Sequence, residues 1–241
     1  MPQDRLPPAY SPHLPPETPM TQIRICVMAK TPEPGRVKTR LARSIGAVEA
    51  AAIATGLLLD TWRWVHGARG VRPVLILDPG RAPLPRLDPA PEIWDQGPGD
   101  LGDRLSQAFA RALSEGCPGA LAVGTDTVAV SPEVLEDAAS SVASGRAVLG
   151  PTLDGGYYLL GLPSPWRPGL LAKIPWSSPR TRAVTEANLV AAGLEVDHLA
   201  PAFDVDEWED LERLRVMLER APHLAPRTAA CLEALGPQRS T

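Results

Sequence analysis

Cysteine is scarce and scattered in this chain. Its three copies, Cys26, Cys117 and Cys231, sit far apart in no metal-ligand spacing. That excludes a disulfide framework and a cysteine-based metal site, and they read as small hydrophobes in a reducing compartment, the cytoplasm. No apolar run approaches the ~20 residues needed to span a membrane, and the first twenty residues lack the apolar core of a signal peptide. An excess of positive charge is missing too. The 24 Lys and Arg against 28 Asp and Glu leave a net charge of −4, which argues against nucleic acid as a partner. Histidine is equally sparse: His66, His198 and His223 have no partner in sequence and read as surface residues. No Ser–His–Asp or Cys–His arrangement stands out.

What remains is a globular composition, 44% hydrophobic and 22% charged over 241 residues, enough for one large domain with its own core. The opening stretch "MPQDRLPPAYSPHLPPETP" holds seven prolines and no periodicity. Residues 1–21 are therefore expected to be a disordered leader, with Met20 a candidate natural start and residues 22–241 the domain. The sequence carries no mark of oligomeric state.

Short apolar runs alternate with helical patterns. "IRICVMA" (23–29), "RPVLILD" (72–78), "EIWDQ" (92–96) and "ALAVGTD" (120–126) read as strands. Helices are expected from about Lys38 to His66, over about 101–115, and from "SPEVLEDAA", where Ser131 is an N-cap and Pro132 the first helical residue. "AVLGPTLDGGYYLLGL" (147–162) reads as strand, glycine turn and strand. "LEVDHLAPAFDVD" (194–206) is an extended run leading into a helix. This alternation predicts an α/β fold with a mostly parallel sheet covered on both faces. Ligands in such sheets bind beyond the carboxyl ends of the strands.

One of those ends is unusual. After the first strand comes "AKTPEPGRVKTRLA" (29–42), with Lys30, Arg36, Lys38 and Arg40 crowded around Gly35. A solvated face is the plain reading and an anion site the sharper one. Arg36 and Lys38 are the stronger phosphate candidates, and Arg43 belongs to solvent. "GPGDLG" (97–102) matches G-x-G-x-x-G, but Asp100 and Asp103 already place two carboxylates at that helix N-terminus, where they would repel a dinucleotide's phosphates. The acidic residues are more telling. Asp126 closes a strand, Asp154 lies beside Gly155 and Gly156, and Asp204 and Asp206 alternate onto one side of an extended segment. Hard carboxylate oxygens in one place suit Mg²⁺ or Mn²⁺ with substrate phosphates. The plainer alternatives are a turn cap at Asp126 and an N-cap at Asp206 completed by Glu209.

The stretches "AKTPEPGRVKTRLA", "QGPGDLGDRLSQAF", "VGTD", "LGPTLDGGYYLLGL", "IPWSS" (174–178) and "DVDEWEDLERL" (204–214) resemble, in order over about residues 23–216, the glycosyltransferase-like family with a nucleotide-diphospho-sugar transferase (GT-A) fold, often called radical-SAM/selenodomain-associated transferases. The resemblance implies a single three-layer GT-A-type domain, distantly similar to molybdenum-cofactor and phospholactate guanylyltransferases. It implies Gly35, Arg36, Lys38 and Arg40 around nucleotide phosphates, and Gln96, Gly99, Asp100 and Arg104 near the base or ribose. Asp126 would bind a metal completed by Asp204 or Asp206. Asp154, Gly155, Gly156 and Tyr157 would line the acceptor side, with Trp176 over the acceptor, and Lys38 and Asp126 would be catalytic. One departure stands out: the family follows "GTD" with a small residue and proline, whereas this chain reads "GTDTVAV".

The expected function is therefore a metal-dependent transferase moving a sugar from a nucleotide-sugar to a small acceptor. The first alternative is a nucleotidyltransferase releasing pyrophosphate. The second is a non-catalytic nucleotide-binding protein, which the lost proline supports.

Overall fold

Strand β1 (Ile23–Lys30) is buried on both sides because it lies inside a sheet covered on both sides. In the computed structural model, which describes residues 22–127 and 130–236, seven strands line up in the order β3-β2-β1-β4-β6-β5-β7. The others are β2 (Val71–Asp78), β3 (Ile93–Asp95), β4 (Gly119–Val123), β5 (Ala147–Pro151), β6 (Tyr157–Pro163) and β7 (Val196–His198). β1 to β4 run parallel to one another, β5 is parallel to β7, and β6 is antiparallel to both β4 and β5. A single reversed strand thus interrupts an otherwise parallel sheet. The proline-rich leader lies outside the described residues, as do Val128 and Ala129 of the departing "GTDTVAV" segment.

Alternate residues of β1 serve different layers. Ile23, Ile25, Val27 and Ala29 pack under helices α2 (Ala47–Gly67) and α4 (Pro132–Ala143). Cys26 packs on the other side, where α3 (Leu101–Ser114) and α5 (Thr181–Ala191) supply Leu105, Phe109 and Leu189. Helix α2 is apolar around much of its circumference. Leu58 and Trp62 face the sheet, while Ile53 and Leu57 face α6 (Trp208–Arg220) and α7 (Pro226–Leu235) in a third cluster. Each of these large side chains is fully buried, contributing about 1.5–3 kcal/mol relative to exposure.

Two local expectations are corrected. The long helix from Lys38 does not form there, because Lys38 is left-handed at φ 47° and the chain turns. A short α1 (Ala42–Ile45) follows, and Gly46, at φ 97°, separates it from α2. A side chain at that angle would be strained, so glycine sets the break. Helix α6 is capped by Glu207 with Asp210, one residue later than the expected Asp206–Glu209 box. Asp206 is thereby released from capping and is available elsewhere. Ser131 does occupy the N-cap of α4, with Pro132 first in the helix. No helix among the described residues is long and apolar enough to cross a membrane.

Candidate functional site

A cleft of about 720 Å³ opens beyond the carboxyl ends of β1 and β4. Its floor is a charged cluster assembled from three distant parts of the chain. Lys38 Nζ donates to Asp126 Oδ1 and, at 3.2 Å, to Asp206 Oδ1. Arg40 pairs with the other oxygen of Asp206 and, at 3.1 Å, with Glu207. The Lys38 side chain is 5% exposed. Burial by itself would pull its pKa down, but Asp126 and Asp206 outweigh that and hold it above the usual lysine value, so the ammonium stays charged. A left-handed lysine costs on the order of 1–3 kcal/mol in backbone strain, and the ion pairs it reaches from that turn offset the cost.

Strand β4 ends at Val123, so Asp126 stands on the loop after Gly124 and not at the strand's last position. That loop is held by a short bridge, Val205 N–H to Asp126 O at 2.9 Å and Thr127 opposite Asp204. Val205 is fully buried, which turns Asp204 and Asp206 to the same side, as alternation expects. Their partners differ. Asp204 accepts from the Thr127 hydroxyl, while Asp206 meets the cations. Burial pushes the Asp204 pKa up to about 6, with Asp126 and Asp206 adding to the rise and Thr127 and Lys38 opposing it. Among the described residues no group of three or more His, Cys, Asp or Glu is arranged to hold a metal. The donor chemistry nevertheless fits one in a simpler form. Asp126 and Asp206 already converge on a shared cation, and two carboxylates with substrate phosphates suffice for Mg²⁺ or Mn²⁺.

The base-side candidates are largely committed to holding the rim together. Gln96 is buried, donates to Ala29 O at 2.9 Å and Ile76 O at 3.1 Å, and accepts from Arg104 at 3.0 Å. Arg104 also reaches Gly99 O and Asp78. Arg36 donates to Pro79 O at 2.8 Å and to Asp78 at 3.1 Å. Gly35 makes the turn at φ 81° but does not line the cleft. Asp100 is the N-cap of α3 in a reciprocal box with Asp103 and lies off the cleft. The third glycine of "GPGDLG" has its own reason: a Cβ on Gly102 would lie 2.8 Å from Trp176 Nε1. Leu101 is 44% exposed and lines the cleft.

On the expected acceptor side, Tyr157 lines the cleft and meets Trp176 edge-on at 6.4 Å between ring centres. Asp154, Gly155, Gly156 and Trp176 do not line the cleft. Asp154 accepts from Thr152 and from Gly156 N–H in a tight turn. Gly155 sits at φ 92°, pressed against Pro179 O. Arg43 is exposed, as are His66, His198 and His223. Lys30 and Ser177 also line the cleft. Lys30 stood in the opening cation cluster, whereas Ser177 carried no signal of its own.

Residues 62–178, just under half of the chain, match the family model described as an uncharacterized protein conserved in bacteria, DUF2064. A Desulfovibrio desulfuricans G20 structure provisionally assigned as a nucleotide-diphospho-sugar transferase is similar at 29% identity and TM-score 0.81, over 90% of this chain and 97% of that one. CMP-2-keto-3-deoxy-manno-octonic acid synthetase, complexed with CTP, is similar at 13% identity and TM-score 0.50, over 83% and 99%. A Methanothermobacter thermautotrophicus nucleotidyl transferase matches at 16% and 0.50, over 82% and 98%. No curated protein matches. The chain has the nucleotide-diphospho-sugar transferase fold, an enzyme fold shared with these transferases, as its resemblance implied. The DUF2064 match covers the Asp126 loop but leaves out both the basic loop and the Asp204–Asp206 segment.

Proposed function

We propose that this protein is a cytoplasmic, metal-dependent glycosyltransferase that takes a sugar from a nucleotide-diphospho-sugar to a small acceptor. The observation that carries this reading is the convergence of Lys38, Arg40, Asp126 and Asp206 in the cleft of a nucleotide-diphospho-sugar transferase fold. Lys38 and Arg40 bind the diphosphate, and their charge meets the negative charge that grows on it as the sugar–phosphate bond breaks. A divalent cation, held by Asp126 and Asp206, would supply further neutralisation of that leaving group. Gln96 and Arg104 keep the rim beside Gly99 rigid, giving the nucleoside end a fixed wall. Tyr157 faces the acceptor, backed by Trp176.

A second reading, nucleotidyl transfer with release of pyrophosphate, is favoured by the density of cations in the loop 36–40 beside Asp126. Thermal-shift screening of nucleoside triphosphates and nucleotide-sugars with Mn²⁺, followed by product analysis, separates the two. Free nucleoside diphosphate marks glycosyl transfer and pyrophosphate marks nucleotidyl transfer. If no nucleotide raises the melting temperature, both readings fall.

A further inference from the structure

The cations and carboxylates of the charged cluster are paired with one another. Lys38 bridges Asp126 and Asp206, and Arg40 takes the remaining oxygen of Asp206. Both cations assigned above to the diphosphate, Lys38 and Arg40, are thus already paired with carboxylates assigned to the metal. Among the described residues, Lys30 alone of the cleft's Lys and Arg side chains makes no ion pair or side-chain hydrogen bond. From this self-neutralised state, resting on the reading above, we infer that the diphosphate and the metal bind cooperatively, with Lys38 as the coupling residue. A metal arriving alone must compete with the Lys38 ammonium and the Arg40 guanidinium for the two carboxylates. A diphosphate arriving alone must draw those cations from their carboxylates. When both arrive, each takes what the other releases: cations turn to phosphate oxygens and carboxylates to metal. No bond is made or broken and no proton is required to move. Linkage makes the effect reciprocal, so nucleotide sharpens metal binding by the same factor that metal sharpens nucleotide binding.

The test begins with Mn²⁺ alone, its free fraction read from the EPR signal, on wild type, Lys38→Met, Arg40→Ala and Lys30→Met. Lys38→Met is expected to bind Mn²⁺ about tenfold tighter than wild type, and Arg40→Ala about threefold tighter, because each frees a carboxylate. Lys30→Met removes the same charge from the same cleft without touching a carboxylate, and is expected to stay within about twofold. The exposed Arg40 makes its variant safe for folding should Lys38→Met fail to fold. If neither variant gains affinity, or Lys30→Met gains as much as Lys38→Met, the inference is overturned. In the second arm, GDP, CDP and UDP are titrated with and without Mn²⁺. Wild type is expected to show roughly 5–150-fold coupling that Lys38→Met loses. Nucleotide binding that Mn²⁺ leaves unchanged overturns the coupling while the nucleotide reading stands. Absence of nucleotide binding throughout overturns the proposed function, and the Mn²⁺ arm still judges the Lys38 lock by itself.

Discussion

Asp60 Oδ2 accepts hydrogen bonds from both the backbone N–H and the hydroxyl of Thr228, at 2.7 and 2.8 Å, from 168 residues away. Its other oxygen takes the Arg227 N–H at 3.1 Å. A carboxylate in the middle of α2 therefore caps the first turn of α7, and one turn earlier Gly56 lets the helices close, since a Cβ there would lie 2.9 Å from Thr228 Cα. Asp60→Ala strands these buried donors and is expected to cost about 2–3 kcal/mol. In thermal melts that is a fall of roughly 5–10 °C; a fall under 2 °C would remove Asp60 as the cap.

Asp204 should make stability depend on pH in a definite direction. Burial pushes its carboxyl up to about 6 in the folded chain, from about 3.9 when unfolded. A raised value means the protonated form is favoured by folding, so this contribution is full below about pH 4 and is lost as pH rises through 6. Asp204→Asn keeps the shape without the charge. It is expected to melt higher than wild type at pH 8, by about 1–2 kcal/mol after screening, and the advantage should largely vanish at about pH 3.5, below the unfolded-state value. An equal effect at both pH values would contradict the assignment.

The three candidate metal carboxylates are expected to separate by partner. Asp126→Asn and Asp206→Asn should each weaken Mn²⁺ binding in the presence of nucleoside diphosphate by tenfold or more. Asp204→Asn, whose side chain answers to Thr127, should change it by less than threefold. Isothermal titration of the three variants is the measurement, and a strong loss in Asp204→Asn would return that residue to the metal site.

Gly102 and Trp176 should be energetically coupled. Gly102→Ala puts a methyl group against the indole and is expected to cost about 1–3 kcal/mol. In a Trp176→Leu background most of that cost should disappear, because the obstacle is gone. The coupling term of the double-mutant cycle is the readout, and additive effects would sever the pair.

Much of this architecture was legible in the sequence because it rests on periodicity. β1, β2 and α3 announce themselves through runs and repeats that local sterics and burial enforce. The breaks were harder. Nothing local says that Lys38, a good helix former, will turn left-handed; the carboxylates it reaches from that turn, Asp126 and Asp206, lie 88 and 168 residues away. For the same reason residue type located the cleft's charges but not their pairing. Nothing local announces that Arg36 pairs with Asp78, or that the Gln96 amide bridges two strand carbonyls. "GPGDLG" shows the converse, a motif whose last glycine makes room for an indole and not for a pyrophosphate.

The position of β1 has a consequence for how the chain comes to be made. It is the earliest of the described strands to be synthesised, yet it ends up flanked on both edges, by β2 and by a β4 that begins almost ninety residues after β1 ends. A nascent chain must therefore carry an apolar strand with one open edge until β4 emerges, the situation most exposed to wrong pairing. In the finished sheet the strands extend from β1 in both directions, to β3 on one side and to β7 on the other. The stretch of the DUF2064 match supplies neighbours on either side of a strand it does not itself contain.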